Sequence, residues 1–254
     1  MYDDPLTKRL SRYVELTPHD MRLLKPLSQD RVRQYGMRED IIREGDEPSG
    51  LHLIVTGWAC RYKMLEDGRR QILAFLIPGD MCDLNNFVLR EMDHSLAALV
   101  PATVANLSHS QVAGMMAASP TLNRAFWWHS LTVVAMQREW TMNIGQRSAF
   151  ERLGQLFCEL FMRLRAVGLT RGVECDLPIT QEDLAEASGL TPVHVNRTLQ
   201  EMRARGLIHL RQRILEIPDF EQLAAASLFT PHYLHLYRGD EEMSAPRAVN
   251  AWSI

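Results

Sequence analysis

The apolar positions of this chain change rhythm along its length, and each rhythm predicts a different structure. Between residues 36 and 112 they fall in short runs, "LHLIV", "ACRYKML" and "QILAFLI". Turn signals separate the runs at "EGDEPSG" (44–50), "TGWA" (56–59), "EDGRR" (66–70) and "IPGD" (77–80). Short β-prone runs at a spacing of roughly eleven residues predict a β-sandwich or barrel. Gly57, Gly68 and Gly79 occupy those turns, where a residue without Cβ takes positive φ at no steric cost.

From Leu122 to about Gly145 the steps become four and three. Leu122, Phe126, Val133, Met136 and Trp140, with His129 filling the gap, form the seam of one long helix. This predicts a dimerisation helix over 119–146, with a helix packed on its own domain as the alternative. His129 is expected to fix register as the lone polar position, and a pH or ligand role is its second reading. "SAFERLGQLFCELFMRL" follows, opened by the capping box Ser148–Glu151 and carrying a stripe of Leu153, Leu156, Phe157, Leu160 and Leu164. "AVGLTRGVECDLP" reads as a loop, and "DFEQLAAASLF" as one further helix. The expected divisions are 1–118, 119–146, 147–220 and a C-terminal extension, 221–254.

The segment "ITQEDLAEASGLTPVHVNRTLQEMRARGLI" has the mechanics of a helix-turn-helix. Thr180 with Asp183 caps one short helix, and Thr191 caps the next, with Pro192 where a missing N–H does no harm. Gly189 supplies the left-handed stop between them. Val195, Leu199 and Met202 recur at i, i+4 and i+7 and form the buried face of the second helix. Val193, His194, Asn196, Arg197 and Gln200 then point outward, in the turns that reach base edges. Arg197 suits guanine O6 and N7, and Asn196 suits adenine N6 and N7. Arg203, Arg205, Arg211 and Arg213 lie further on, where phosphates would be, and Thr180 and Thr191 count with the DNA-binding residues. "GLIHLRQRILEI" gives a glycine stop and two β-prone runs about "RQR", the shape of a wing.

Charge sharpens this picture. The chain has 254 residues, net charge −3 and a pI near 6.3, which argues against whole-protein attraction to nucleic acid. Over 190–217, however, arginines 197, 203, 205, 211 and 213 stand against Glu201 and Glu216, a local excess of five minus two, +3. The 46% hydrophobic and 23% charged fractions are those of a soluble globular protein. "SLAALVPATVANL" is too short to span a bilayer and is broken by Pro101, and "MYDDPLTKRL" lacks the order of a signal peptide. A cytoplasmic location with no membrane partner is therefore expected. Cys60, Cys82, Cys158 and Cys175 are too scattered for a C-x-x-C metal site or a disulfide framework and are expected to be buried free thiols. Neither H-x-H, H-E-x-x-H nor G-x-S-x-G occurs, so no enzyme is indicated.

A glycine-punctuated β-roll, a long helix and a winged helix-turn-helix together resemble the CRP/FNR family of bacterial transcription regulators. The likeness covers about residues 15–217. It is most specific in "IIREGDEPSGLHLIVTGWACRY", "EDGRRQILAFLIPGD" and "ITQEDLAEASGLTPVHVNRTLQEM". It implies an α+β fold: an N-terminal β-roll of the cyclic-nucleotide-binding and cupin-like type, a dimer helix and a winged helix. The implied partners are a second copy of the chain, palindromic double-stranded DNA and RNA polymerase.

In family members that bind cyclic nucleotides, a glutamate after the "PGD" turn holds the ribose and an arginine before a small residue holds the phosphate. At those places this chain has Asp83, Leu84 and Asn85, then His94 and Ser95. The resemblance thus marks these five as the effector pocket, but without the residues that bind cAMP, and an imidazole does not replace a permanently charged bidentate donor. Iron–sulfur members use an N-terminal cysteine cluster, and no cysteine precedes Cys60 here. No cofactor is expected, although an unknown effector has room in this reading. Val193 stands where many members carry glutamate, and Asn196 where they carry a small residue. The alternative is a regulator that senses haem, redox state or metal through His94, His109, His129, Cys60 or Cys82.

Overall fold

The computed structural model describes residues 4–28, 32–84 and 86–236. Two short helices, α1 (Pro5–Leu10) and α2 (Pro18–Leu24), precede eight strands. These are β1 (Val32–Tyr35), β2 (Asp40–Ile42), β3 (Leu51–Thr56), β4 (Ala59–Met64), β5 (Arg70–Leu76), β6 (Met81–Cys82), β7 (Ser95–Ala98) and β8 (Ala102–Leu107). They form two antiparallel four-stranded sheets, ordered β1-β8-β3-β6 and β2-β7-β4-β5. Ile54, Leu76, Leu96, Ala98 and Val104 fill the space between them. At Gly57 a Cβ would sit 2.4 Å from the Pro101 carbonyl oxygen, so the β3–β4 turn admits only glycine.

Helix α3 (His109–Ala118) leads through Ser119 into α4 (Pro120–Gln146), and then comes α5 (Ala149–Ala166), capped by Ser148 and Glu151 as expected. The stretch read as a loop after α5 is instead a hairpin, β9 (Thr170–Arg171) and β10 (Glu174–Asp176). It extends the wing strands β11 (His209–Arg211) and β12 (Ile214–Glu216) into one sheet, ordered β11-β12-β10-β9. Strands this short carry little pattern of their own and take their state from the partner. The helix-turn-helix is α6 (Gln181–Ser188) and α7 (Pro192–Ala204). α8 (Phe220–Ala226) and residues to 236 pack back on α5 through Leu223, Phe229, Leu234 and Leu236.

The residues expected to form the dimer seam are largely spent inside the chain, which corrects that expectation. Leu122 and Phe126 are buried with Leu6, Leu10 and Met115 beneath the first sheet. His129 donates from Nε2 to the Met81 carbonyl at 2.8 Å. Trp140 is buried edge-on to Phe75. Val133 and Met136 are half-buried over a small cavity shared with Asp80, Trp140 and Arg163. A four-three spacing identifies an apolar stripe but not what covers it. A second stripe, on the opposite side of α4, is the one left open: Trp127, Leu131, Val134 and Met142 are 56, 55, 46 and 54% exposed.

Beneath α4 lies a buried ionic hub that ties several elements together. Arg163 of α5 bonds Asp80 at 2.7 Å and Glu159 at 3.1 Å, and Arg9 of α1 reaches Asp80 at 2.8 Å. Trp140 Nε1 and the Tyr233 hydroxyl both donate to Glu159. Burial opposes the Asp80 charge, but Arg9 and Arg163 outweigh it and hold the carboxyl below its usual range.

His129 sits beside this hub. Burial first, then the charge of Arg9, pushes its pKa down to about 4, so it is neutral at physiological pH. Between the unfolded value of 6.5 and about 4, the unfolded chain takes a proton that folded His129 refuses. Its contribution to stability is therefore complete above that window and falls as pH is lowered through it. Relative to His129→Gln, the wild type should lose about 2–3 kcal/mol between pH 7 and pH 4.5, measured by urea unfolding. Parallel pH profiles for the two proteins would contradict this.

Candidate nucleic-acid interface

Local chemistry builds the reading head. The Thr180 hydroxyl accepts from the Asp183 amide while the Asp183 carboxylate accepts from the Thr180 amide, closing a capping box at the start of α6. Gly189 ends α6 at φ +63°, and Thr191 caps α7 by accepting from the His194 amide at 3.2 Å. Val195, Leu199 and Met202 are fully buried and hold α7 down. That leaves Val193, His194, Arg197 and Gln200 exposed on the opposite face, with Val193 80% exposed.

Asn196 is half-buried and joins an amide chain: it donates to Gln181 Oε1 and accepts from Gln200 Nε2, both at 3.1 Å. Pairing with adenine would draw on its remaining N–H and lone pair. Arg203 is half-buried, while Arg211 and Arg213 are exposed on the wing. Arg205 is engaged locally, paired with Glu201 and stacked 4.7 Å over the Phe150 ring. Exposed Thr180 and Thr191 flank the same face.

The wing turn is strained. Gln212 and Arg213 both adopt positive φ, +51° and +65°, in a two-residue hairpin where Asn-Gly would fit without strain. The double variant Gln212→Asn, Arg213→Gly should raise stability by about 1 kcal/mol while weakening DNA binding through the lost cation. Urea midpoint and DNA affinity, measured on the same protein, should therefore move in opposite directions.

The five effector positions do not share one environment. Asp83, left-handed at φ +65°, is clamped by Arg61 Nη2 and His94 Nε2, each at 3.0 Å. His94 Nδ1 meets Asp93 at 2.6 Å. Burial disfavours the Asp83 charge, but the bond from His94 and the Arg61 charge hold the carboxyl below its ordinary range. Leu84 belongs to the core instead, and buried Ser95 accepts from the Glu44 amide. Asn85 lies outside the described residues. Arg61, which no motif singles out, is thus already neutralised by the chain's own carboxylate. An incoming phosphate would meet Asp83 as well as Arg61.

The remaining candidates for sensing are hydrogen-bonded or buried. His109 Nε2 lies 2.9 Å from Asn86 Oδ1. All four cysteines are free and buried, and burial pushes the thiols of Cys60 up to about 11 and of Cys158 and Cys175 up to about 12. Among the described residues, no group of three His, Cys, Asp or Glu side chains is arranged to hold a metal, and no helix is long and apolar enough to cross a membrane.

Comparison with known proteins bears on both halves of the chain. A family model described as cyclic nucleotide-binding domain matches residues 32–119, and one described as Crp-like helix-turn-helix domain matches residues 151–226. The transcriptional activator protein FnrL of Cereibacter sphaeroides is 29% identical over 199 residues, covering 75% of this chain and 78% of that protein. The nitrogen fixation regulation protein FixK of Bradyrhizobium diazoefficiens is 29% identical over 192 residues, covering 74% and 79%. The structure of FixK2 from Bradyrhizobium japonicum superposes with a TM-score of 0.68 at 24% identity, covering 77% of this chain and 96% of that one. With a β-roll of the cyclic nucleotide-binding type ahead of a capped and winged helix-turn-helix, the chain belongs to the CRP/FNR family of DNA-binding transcription regulators.

Proposed function

We propose that the chain acts as a homodimer that reads a palindromic operator, one α7 in each major groove, and works with RNA polymerase at the promoter. The observation that carries this reading is the free first two turns of α7: Val193, His194 and Arg197 stand exposed over a buried Val195–Leu199–Met202 anchor. Arg211 and Arg213 extend the basic surface onto the wing. Arg197 is assigned to guanine and the wing arginines to phosphates.

The open stripe of α4 supports the dimer. Trp127, Leu131 and Val134 repeat at steps of four and three, and Arg138, Thr141 and Gly145 continue the line. A second copy of the helix would cover it as in a two-stranded coiled coil. Such a dimer places two recognition helices about one DNA turn apart, so the operator is an inverted repeat.

The Asp83–Arg61–His94 clamp argues against a cyclic-nucleotide effector, because a second anion would enter beside a buried carboxylate. The haem, redox or metal reading gains no support from thiols this buried or from histidines already hydrogen-bonded. Selection of duplexes from a randomised pool by the purified protein tests the proposal. An enriched inverted repeat supports it; enrichment of a single half-site, or of no sequence, overturns it.

A further inference from the structure

The β-roll grips the helix-turn-helix directly, at its first helix. Arg38, in the turn between β1 and β2, forms a fork with Asp183 of α6, bonding its two carboxylate oxygens at 2.5 and 3.0 Å. The same guanidinium lies 3.5 Å from the Thr180 hydroxyl. Arg70 of β5 meets Glu186 at 3.2 Å, and the Gln71 amide donates to the Ala187 carbonyl at 3.4 Å. The Asp183 side chain is 2% exposed, and its carboxylate also orders the α6 N-terminus through Thr180. Arg38 itself sits at φ +64°, a left-handed conformation that glycine adopts without strain and arginine does not. Backbone strain at a side chain whose hydrogen bonds run to another domain marks a position held for that contact.

We infer that Arg38 is a positioning residue that sets the separation and tilt of the two recognition helices, and so the half-site spacing the dimer accepts. This rests on the dimeric reading above. The buried hub already anchors α5 to the β-roll through Arg163 and Asp80. The apolar cluster that runs from Ile72 and Phe75 to Leu184 and Ala187 adds contact area but no fixed direction, so freedom to swivel remains at the hinge, where Arg147 leaves helical geometry at ψ 147°. A second anchor, on a different helix, removes that freedom. The contact is not a block, because Val193, His194, Arg197, Arg211 and Arg213 all remain exposed while it is made. A fork of two parallel bonds also fixes angle as well as distance, which a lysine would not do.

The test uses the full-length protein and duplexes carrying the half-sites that wild type selects from a randomised pool. The half-sites are set at the selected spacing and at one and two base pairs more or fewer. Arg38→Gly removes the fork and relieves the backbone but strips the counter-charge from buried Asp183, so urea unfolding is run beside it. Arg38→Lys, which keeps the charge without the fork, serves as the second variant. Glu186→Gln weakens the second contact independently. Arg38→Gly and Glu186→Gln should keep the half-site sequence while discrimination between spacings falls, about five- to tenfold for the former. Arg38→Lys should fall between it and wild type. Undiminished spacing discrimination in Arg38→Gly overturns the inference alone, and so does higher affinity at every spacing, which would make the contact an inhibitory one. A wild-type selection that yields no inverted repeat overturns this inference together with the dimeric reading.

Discussion

Leu131→Asp is expected to halve the mass of the protein in solution without unfolding the protomer. Leu131 is 55% exposed in the centre of the open stripe of α4, so a carboxylate there costs little until a second copy approaches. In the dimer, two such carboxylates would face each other in an apolar seam and would have to be desolvated together. Affinity for a two-site operator should then fall about 10²–10⁴-fold, because the second half-site is no longer bound intramolecularly. Trp140→Asp provides the contrast. Trp140 is buried, packs on Phe75 and donates to Glu159, so its replacement should destabilise the protomer itself. Light scattering and circular dichroism on the two variants separate the outcomes. An unchanged mass for Leu131→Asp would place the dimer contact elsewhere.

Arg163→Met should be the most damaging single change in the core, costing about 3–5 kcal/mol. It strips a counter-charge from both Asp80 and Glu159, which lie at 3% and 0% exposure. Asp80 keeps Arg9, and Glu159 keeps only the neutral donors Trp140, Tyr233 and Gln155. Adding Glu159→Gln removes the stranded charge and retains an acceptor for Trp140 and Tyr233. The double variant should therefore recover more than half of the loss, a strongly non-additive cycle. Urea unfolding of wild type, both single variants and the double variant checks this. Additive losses would mean that the two side chains do not act as a unit.

What could be read from the sequence was whatever the chain encodes locally. The starts of α5, α6 and α7 follow from Ser148, Thr180 and Thr191, each of which satisfies an amide within three residues of itself. The stop at Gly189 and the buried face Val195–Leu199–Met202 were legible for the same reason. Features that depend on a distant partner were not. The spacing of Leu122, Phe126 and Trp140 marks an apolar stripe correctly, but whether a sheet or a second copy covers it depends on the assembled fold. The Arg38–Asp183 contact joins residues 145 positions apart, and "GMRED" carries no sign of it. Departure from the nucleotide-binding pattern at Asp83 and His94 was visible in the sequence. That Arg61 would come from β4 to pair with Asp83 required the two sheets to close.

Sequence-specific reading by α7 rests above all on Arg197. On a duplex carrying the selected operator, Arg197→Ala should cost about 1–3 kcal/mol in binding free energy and relax the choice of base at one position in each half-site. Its affinity for random duplex should change far less. An equal loss on operator and on random DNA would show that Arg197 touches only phosphate, and that α7 does not read the sequence in the way proposed.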